Sequence, residues 1–234
     1  MTFEQYMDFL HYPKVLNPVR SVILFENPLL EFLTKSPWWH VLIIYSLDTL
    51  RYAVKMDFND PHTVLSIVCG FFGWTVLEYL IHKYVLHPEH YWLSKVGNNQ
   101  AIFALHAAMH GMHHAFPTDP LRMLEPAFIS HILAHYVIFP YIYTPIFSNP
   151  EAVGLGTVFA YMCYDLFHYY LHKGNIQNEQ LKTYKSWHMQ HHYNEGKFQF
   201  GVTTHIWDSL FNSGRPKKTR EHGPDYSKEA KKYD

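Results

Sequence analysis

The chain has 234 residues, of which 48% are hydrophobic and 18% aromatic but only 17% charged, against roughly 25% charged in an ordinary soluble domain. This composition leans toward a membrane protein, and the length suits one domain with a substantial core. A net charge of -1 with histidine neutral excludes the broad basic field of a nucleic-acid binder. Mean hydropathy is only -0.19 because nineteen His and eighteen Tyr count as polar and conceal the apolar blocks. Cys69 and Cys163 both lie in apolar stretches, which suits reduced thiols rather than a disulfide framework.

Residues 1–37 form an N-terminal arm. Its opening, MTFEQYMDFLHYPK, has no basic segment followed by an apolar one, so no cleavable signal peptide is expected. Pro13, Pro18, Pro28 and Pro37 break any long helix, and ENPLLEFLTKSPWW reads as an amphipathic approach to a membrane surface. Four spanning candidates follow. Trp38 to Ala53 starts on an interfacial Trp pair but holds Asp48 and Arg51. Thr63 to Ile81 is nineteen residues long with Glu78 near its end, a length that matches a bilayer core. Leu124 to Phe147 and Val153 to Leu171 are joined by the short turn SNPEA and read as a helical hairpin. Between the second and third candidates lies a polar central segment with the turn FPTDPLR, and 172–214 is water-soluble in character. A basic tail, 215–234, ends in KKYD, with Lys231 and Lys232 at the positions of a dilysine retrieval signal for the endoplasmic reticulum.

The expected fold is therefore all-α: an integral membrane protein with about four transmembrane helices and a cytosolic helical cap. Paired spans return the chain to the side it left. The two far-side turns, around Asp57 to His62 and Ser148 to Ala152, have no Lys or Arg, whereas Lys83, Lys95, Lys173, Lys182, Lys185 and the tail lie on the near side. The positive-inside rule then makes the near face and both termini cytosolic. Arg51 and Lys55 sit at the wrong end of the first span and must snorkel or pair.

Ten histidines on the near side fall in four clusters. LHAAMHGMHH contains His106, His110, His113 and His114, whose spacing of three and four puts imidazoles on one face of a helix. The spelling H-x-x-H-H, His110 with His113 and His114, returns as His188 with His191 and His192 in WHMQHHY. His82 with His87, and His168 with His172, make up the rest. His82 and His87 lie about 140° apart on an ideal helix, so they converge only if the last turn unwinds, and Pro88 favours an end there. Ten imidazoles exceed what one ion takes, and two ions with about five nitrogens each is the economical count. No Cys pair or Glu-x-x-His carboxylate signature accompanies them, which argues against zinc ribbons, iron–sulfur clusters and ferritin-like sites. Imidazole suits Fe, Zn or Cu, so the ligands alone do not choose the metal.

The stretches EYLIHKYVLH, AMHGMHHAFPTDPLRM, CYDLFHYYLH and YKSWHMQHHYNEGKFQFGVTTHIWDSLF, covering most of 78–211, resemble the membrane fatty acid hydroxylase superfamily, and within it the fatty acid 2-hydroxylases of sphingolipid synthesis. The resemblance implies a di-iron monooxygenase that uses dioxygen to hydroxylate the carbon next to an acyl carbonyl, of a fatty acyl chain or ceramide. It implies as metal ligands His82, His87, His110, His113, His114, His168, His172, His188, His191 and His192, with zinc able to fill the site in purified protein. His106 lies outside that ligand pattern. Many relatives carry an N-terminal cytochrome b5 domain; this chain has no H-P-G-G haem motif, so electrons are expected from a separate donor such as cytochrome b5 and its reductase. Sister groups act on sterols, sphingoid bases, alkanes and carotenoids with similar histidine spacing, and that alternative stays open here. A zinc transporter would need its ligands near the membrane midplane, whereas these lie at helix ends.

Other residues have simpler readings. Glu78, four before His82, and Asp165, three before His168, are placed to orient an imidazole or to bond a neighbouring helix. His106 is read as supporting the ligands or lining the substrate path. His131 and His135, four apart in the third span, have the spacing of a fifth ligand pair but read rather as lining a cavity or pairing locally. Asp119 with Arg122 reads as a surface ion pair or a head-group contact, Trp207 and Asp208 as packing for the cap, and His40, His62, His90, His205 and His222 as ordinary.

Overall fold

The computed structural model describes residues 1–11, 21–193 and 196–214. The basic tail with Lys231 and Lys232, His222, Pro13 and Pro18 lie outside the described residues. Among the described residues every regular element is a helix. In chain order these are α1 (Phe3–His11), α2 (Pro28–Leu33), α3 (Trp38–Ala53), α4 (Pro61–Ile81), α5 (100–115), α6 (Ala127–Ile146), α7 (Pro150–Lys173), α8 (Glu179–Tyr193) and α9 (Ile206–Leu210), with short 3₁₀ turns between α4 and α5.

Local sequence explains the helix starts. Asp60 caps α4 through bonds to the His62 and Thr63 backbone N–H groups, Asn27 caps α2 and Asn149 caps α7, each with Pro in the first turn. The third apolar stretch starts at Ala127 rather than Leu124, because Pro126 ends the incoming turn. Within α6, residues Ala134–Tyr143 are wound as a π-helix around Pro140, whose ring cannot fit a regular α ladder.

α7 is the central helix, packed against both α3 and α4. Its crossing with α4 is unusually close: a Cβ on Gly156 would lie 1.9 Å from the Ile67 carbonyl oxygen, and one on Gly70 2.0 Å from that of Val153. Among the described residues two helices, Pro61–Leu86 and Ala127–Ile146, are long and apolar enough to cross a membrane. Outward faces of α3, α4 and α6 expose large apolar groups such as Leu47, Phe72 and Ile132. The turns before α4 and before α7 lie together, joined by Lys55 to Glu151 at 3.4 Å and Asn149 Nδ2 to Thr63 Oγ1. The histidine clusters gather at the other end.

The N-terminal arm packs on that histidine end. Tyr6 of α1 stacks on Phe103 with ring centroids 4.8 Å apart, within an apolar cluster that includes Leu10, Leu93 and Met112. Asp119 and Arg122 are not a surface pair. Both are buried: Arg122 Nη2 meets Glu31 Oε1 at 2.6 Å, while Asp119 accepts from Ser21 Oγ and the Val22 and Leu121 N–H groups. Buried charges of this kind need such partners; here they fasten the 21–34 segment to the central turn.

Candidate metal centre

α4 does not unwind at its end but widens. Residues His82–Leu86 form a π turn closed by the His87 N–H on the His82 carbonyl at 3.1 Å. A π turn holds more residues than an α turn, so a five-residue spacing returns to one face, and the His82 and His87 ring centroids stand 5.0 Å apart. A second π turn, Ala107–Gly111, interrupts α5. It swings His106 away from the face shared by the later histidines: His106 Nδ1 meets the Tyr6 hydroxyl and Nε2 the Leu86 carbonyl, each at 2.9 Å. The expected single face of four imidazoles is thus reduced to three, and those three divide.

The ten histidines come together in two groups of five. His82, His87, His110, His114 and His191 form one; His113, His168, His172, His188 and His192 form the other, and in each the nitrogen atoms lie within 4.8 Å of one another. Each H-x-x-H-H cluster gives its outer pair, spaced four apart, to one group and its middle histidine to the other. Helix geometry demands this, because successive residues point about 100° apart whereas i and i+4 share a face.

Bonds at the outer nitrogens fix what the inner ones can do. His82 Nδ1 and His191 Nδ1 donate to the Phe200 and Phe198 carbonyls, each at 2.6 Å. His87 Nδ1 donates to Glu89 Oε1 at 2.7 Å. A neutral imidazole has one N–H, so all three Nε2 atoms carry lone pairs. Yet His87 Nε2 faces His191 Nε2 at 2.9 Å and His82 Nε2 faces His110 Nε2 at 3.2 Å. In the second group His168, His172 and His188 bring their Nε2 atoms within 2.8–3.2 Å of one another. Lone pairs so close repel unless a cation lies between them, and two nitrogens each ~2.1 Å from one ion at about 90° stand ~3.0 Å apart. The residues fit a pair of metal ions.

Burial and mutual repulsion push His87, His110, His113, His114, His188, His191 and His192 well below the ordinary imidazole value. All are therefore neutral, which is the ligating form.

The orienting groups differ from those read in the sequence. Glu78 does not hold His82: it accepts from the Val202 and Thr203 N–H groups and the Thr203 hydroxyl, and so fixes the loop whose Phe200 carbonyl holds His82. Asp208, fully buried, ties down the same loop through the Phe200 and Gly201 N–H groups and Ser213 Oγ. Asp165 makes no hydrogen bond to His168; its buried carboxyl lies beside the Tyr161 hydroxyl instead. The sequence reading missed Glu89, which stands two residues beyond His87 in H-P-E-H; its carboxyl is pushed up to about 8 by burial. His131 and His135 remain apart from both groups, meeting Asp48 Oδ2 at 2.7 and 3.1 Å.

Below the imidazoles a cavity of about 350 Å³ runs between α3, α4, α6 and α7. Its lining is almost wholly apolar, with Trp74, Leu77, Ile138, Phe139 and Val158 along its length, and Met109 and Leu86 toward the histidines.

A helical scaffold that gathers ten imidazoles above an apolar cavity defines a protein built around a histidine-rich centre suited to metal ions. Comparison with known proteins makes this specific. The profile of the family described as fatty acid hydroxylase matches residues 67–213. The chain is 31% identical to the ceramide very long chain fatty acid hydroxylase scs7 of Schizosaccharomyces pombe, over 90% of this chain and 60% of that protein. It is 30% identical to the dihydroceramide fatty acyl 2-hydroxylase FAH2 of Arabidopsis thaliana, over 90% and 86%, and 32% identical to the fatty acid 2-hydroxylase of Homo sapiens, over 92% and 61%. It thus spans about three fifths of the fission-yeast and human proteins. A solved structure described as full-length scs7p, with only the hydroxylase domain visible, shares the fold with a TM-score of 0.70 at 24% identity, over 92% of this chain and 90% of that one. The chain belongs to the fatty acid hydroxylase family.

Proposed function

We propose that this protein is a membrane-bound monooxygenase that hydroxylates C2 of a fatty acyl chain carried by a sphingolipid. The observation that carries the reading is the junction of the two imidazole groups with an apolar cavity of acyl character. Relatives named for 2-hydroxylation of fatty acids and of dihydroceramide acyl chains support it. The ten histidines of the two groups are the metal ligands in this reading, and two iron ions held there supply the activation of dioxygen, with zinc a competitor for the same nitrogens. One oxygen atom replaces a C–H bond by C–OH; the other leaves as water, using two electrons and two protons brought by a separate donor such as cytochrome b5 and its reductase.

The chain's own part is placement. The cavity takes the acyl tail, excludes water along it, and presents the carbon near the head to the imidazole end. α3, α4, α6 and α7 are read as four membrane spans, with the arm, α5, α8 and α9 forming a cap on the cytosolic face of the endoplasmic reticulum membrane, where both termini lie. The meeting of the two short turns at the end away from the histidines supports that topology.

Lipid mass spectrometry of cells with and without the protein tests the function. Expression raises 2-hydroxylated acyl chains in sphingolipids, and His110→Ala or His191→Ala abolishes the rise. Unchanged acyl chains with altered sterols would overturn the reading.

A further inference from the structure

The apolar cavity has a built end. α3 and α6 run away from the histidines and α7 runs toward them, so the lining residues farthest from the imidazoles are Tyr52, Phe139, Tyr143, Gly154 and Thr157. Phe139 packs against both Tyr52 and Tyr143, with ring centroids 5.8 and 6.3 Å away. Gly154 leaves room for that ring: a Cβ there would stand 2.9 Å from Phe139 Cε2. Tyr143 is 6% exposed and donates to Thr157 Oγ1 at 3.0 Å; Thr157 Oγ1 in turn lies 3.2 Å from the Gly70 carbonyl oxygen on α4. These contacts tie α6 to α7 and α4 at one level. Beyond them lie the two short turns, joined through Asn149 and Thr63, so the cavity ends on packed protein.

The depth follows from helix geometry. From His168 down to Thr157 and Gly154, α7 advances ~16–21 Å at about 1.5 Å per residue. An extended hydrocarbon chain advances ~1.25 Å per carbon, from a C–C bond of ~1.5 Å at the tetrahedral angle. With C2 held at the imidazoles, ~13–17 further carbons reach the end. Lipid tails are as apolar as this lining, so a tail entering from the bilayer gains nothing from hydrophobicity and fit decides. A tail too short leaves a void that forfeits dispersion contacts. One too long must fold back against ring and backbone, which overpacks the site.

We infer that Phe139, Tyr143 and Gly154 form a floor that sets acyl-chain length, so that acyl groups of about 15–19 carbons fill the site and markedly longer ones are rejected. The inference rests on the acyl-hydroxylase reading above and adds to it the length of the acyl group. These are specificity-determining residues.

Equilibrium binding to the metal-loaded full chain in lipid nanodiscs tests this, with four radiolabelled ceramides alike except for a tetradecanoyl, hexadecanoyl, eicosanoyl or tetracosanoyl chain. Wild type binds the hexadecanoyl probe about tenfold or more tighter than the tetracosanoyl one. Phe139→Ala deepens the floor and raises eicosanoyl affinity about tenfold relative to hexadecanoyl. Gly154→Ala puts a methyl on the floor and shifts the preference several-fold toward tetradecanoyl. Gly73→Ala, on α4 with open space around the new Cβ, leaves the ranking unchanged. The ratio between lengths is the readout, since a merely structural defect weakens all four probes alike. Equal binding of hexadecanoyl and tetracosanoyl by wild type overturns the inference, as happens if the tail leaves sideways into the bilayer. So does a proportionate loss for every probe in Phe139→Ala. A protein that ranks the lengths as stated but hydroxylates none of them overturns the proposed function and leaves the floor standing. One that binds and hydroxylates all four lengths alike does the reverse, and binding of none overturns both.

Discussion

Replacing Gly156 by Ala adds one methyl where α7 crosses α4. The new Cβ would fall 1.9 Å from the Ile67 carbonyl oxygen and 2.8 Å from the Phe71 nitrogen, and real contacts stay beyond 3.0 Å, so the two backbones must part by about 1.1 Å. Backbone cannot swing aside as a side chain does, which places the overpacking cost near the upper end of its range, ~3 kcal/mol. Ala is intrinsically better than Gly in a helix by ~1 kcal/mol. The net loss is then ~2 kcal/mol, or a melting point lower by roughly 4–8 °C for a chain of this size. The functional loss is larger, because α4 leads into His82 and His87 while α7 carries His168 and His172, one pair for each imidazole group. A misplacement of about 1 Å costs ~10²-fold in rate. Gly73→Ala is the control: it is the same change on α4 at a site where nothing lies within 4 Å of the new Cβ, and it should be neutral or slightly stabilising. Thermal melting in detergent and 2-hydroxylation of an acyl lipid are measured for both. If Gly156→Ala melts within a degree of Gly73→Ala and keeps its turnover, close helix contact does not position the centre.

Two further substitutions separate ligands from their supports. Glu89→Gln keeps the shape but weakens the acceptor on His87 Nδ1, and metal affinity, read by competition with a chelator, is expected to fall 10–100-fold; an unchanged affinity would make Glu89 a bystander. His106→Phe should keep full metal content, because that ring bonds Tyr6 and the Leu86 carbonyl. It should lose about 1 kcal/mol of stability from the unmet Leu86 carbonyl, and loss of one metal would instead make His106 a ligand.

Much of this architecture can be read from residue order. The four apolar stretches become α3, α4, α6 and α7 with boundaries displaced by a few residues, because apolar length and proline position are local properties. The histidine clusters are visible for the same reason. What sequence does not carry is how a helix is wound. His82 and His87 look divergent on an α-helix and meet only through the π turn between them, and the π turn in α5 removes His106 from a face to which α spacing assigns it. Nor does order along the chain show which side chain crosses to which neighbour. Glu78 stands one turn before His82, yet it acts on that ring through a loop more than a hundred residues later.

The division of each H-x-x-H-H cluster has a consequence for how the centre assembles. His113 and His114 are joined by one peptide bond and serve different groups, as do His191 and His192. Their rings form a shared wall: His114 stacks on His192 with centroids 4.2 Å apart, and His113 meets His192 at 4.4 Å. A backbone position that sets one group therefore sets the other, and neither can be loosened alone. The paired helices α4 and α7 each supply a complete histidine pair to one group, so they locate the two groups in the scaffold, while α5 and α8 lock them to one another. An ion held by either group then stabilises the geometry of the second, since binding to the native arrangement alone shifts the whole fold toward it. With ions in both groups, as proposed above, metal titration of the full chain is expected to give a single cooperative filling transition, and two independent binding steps would refute the shared wall.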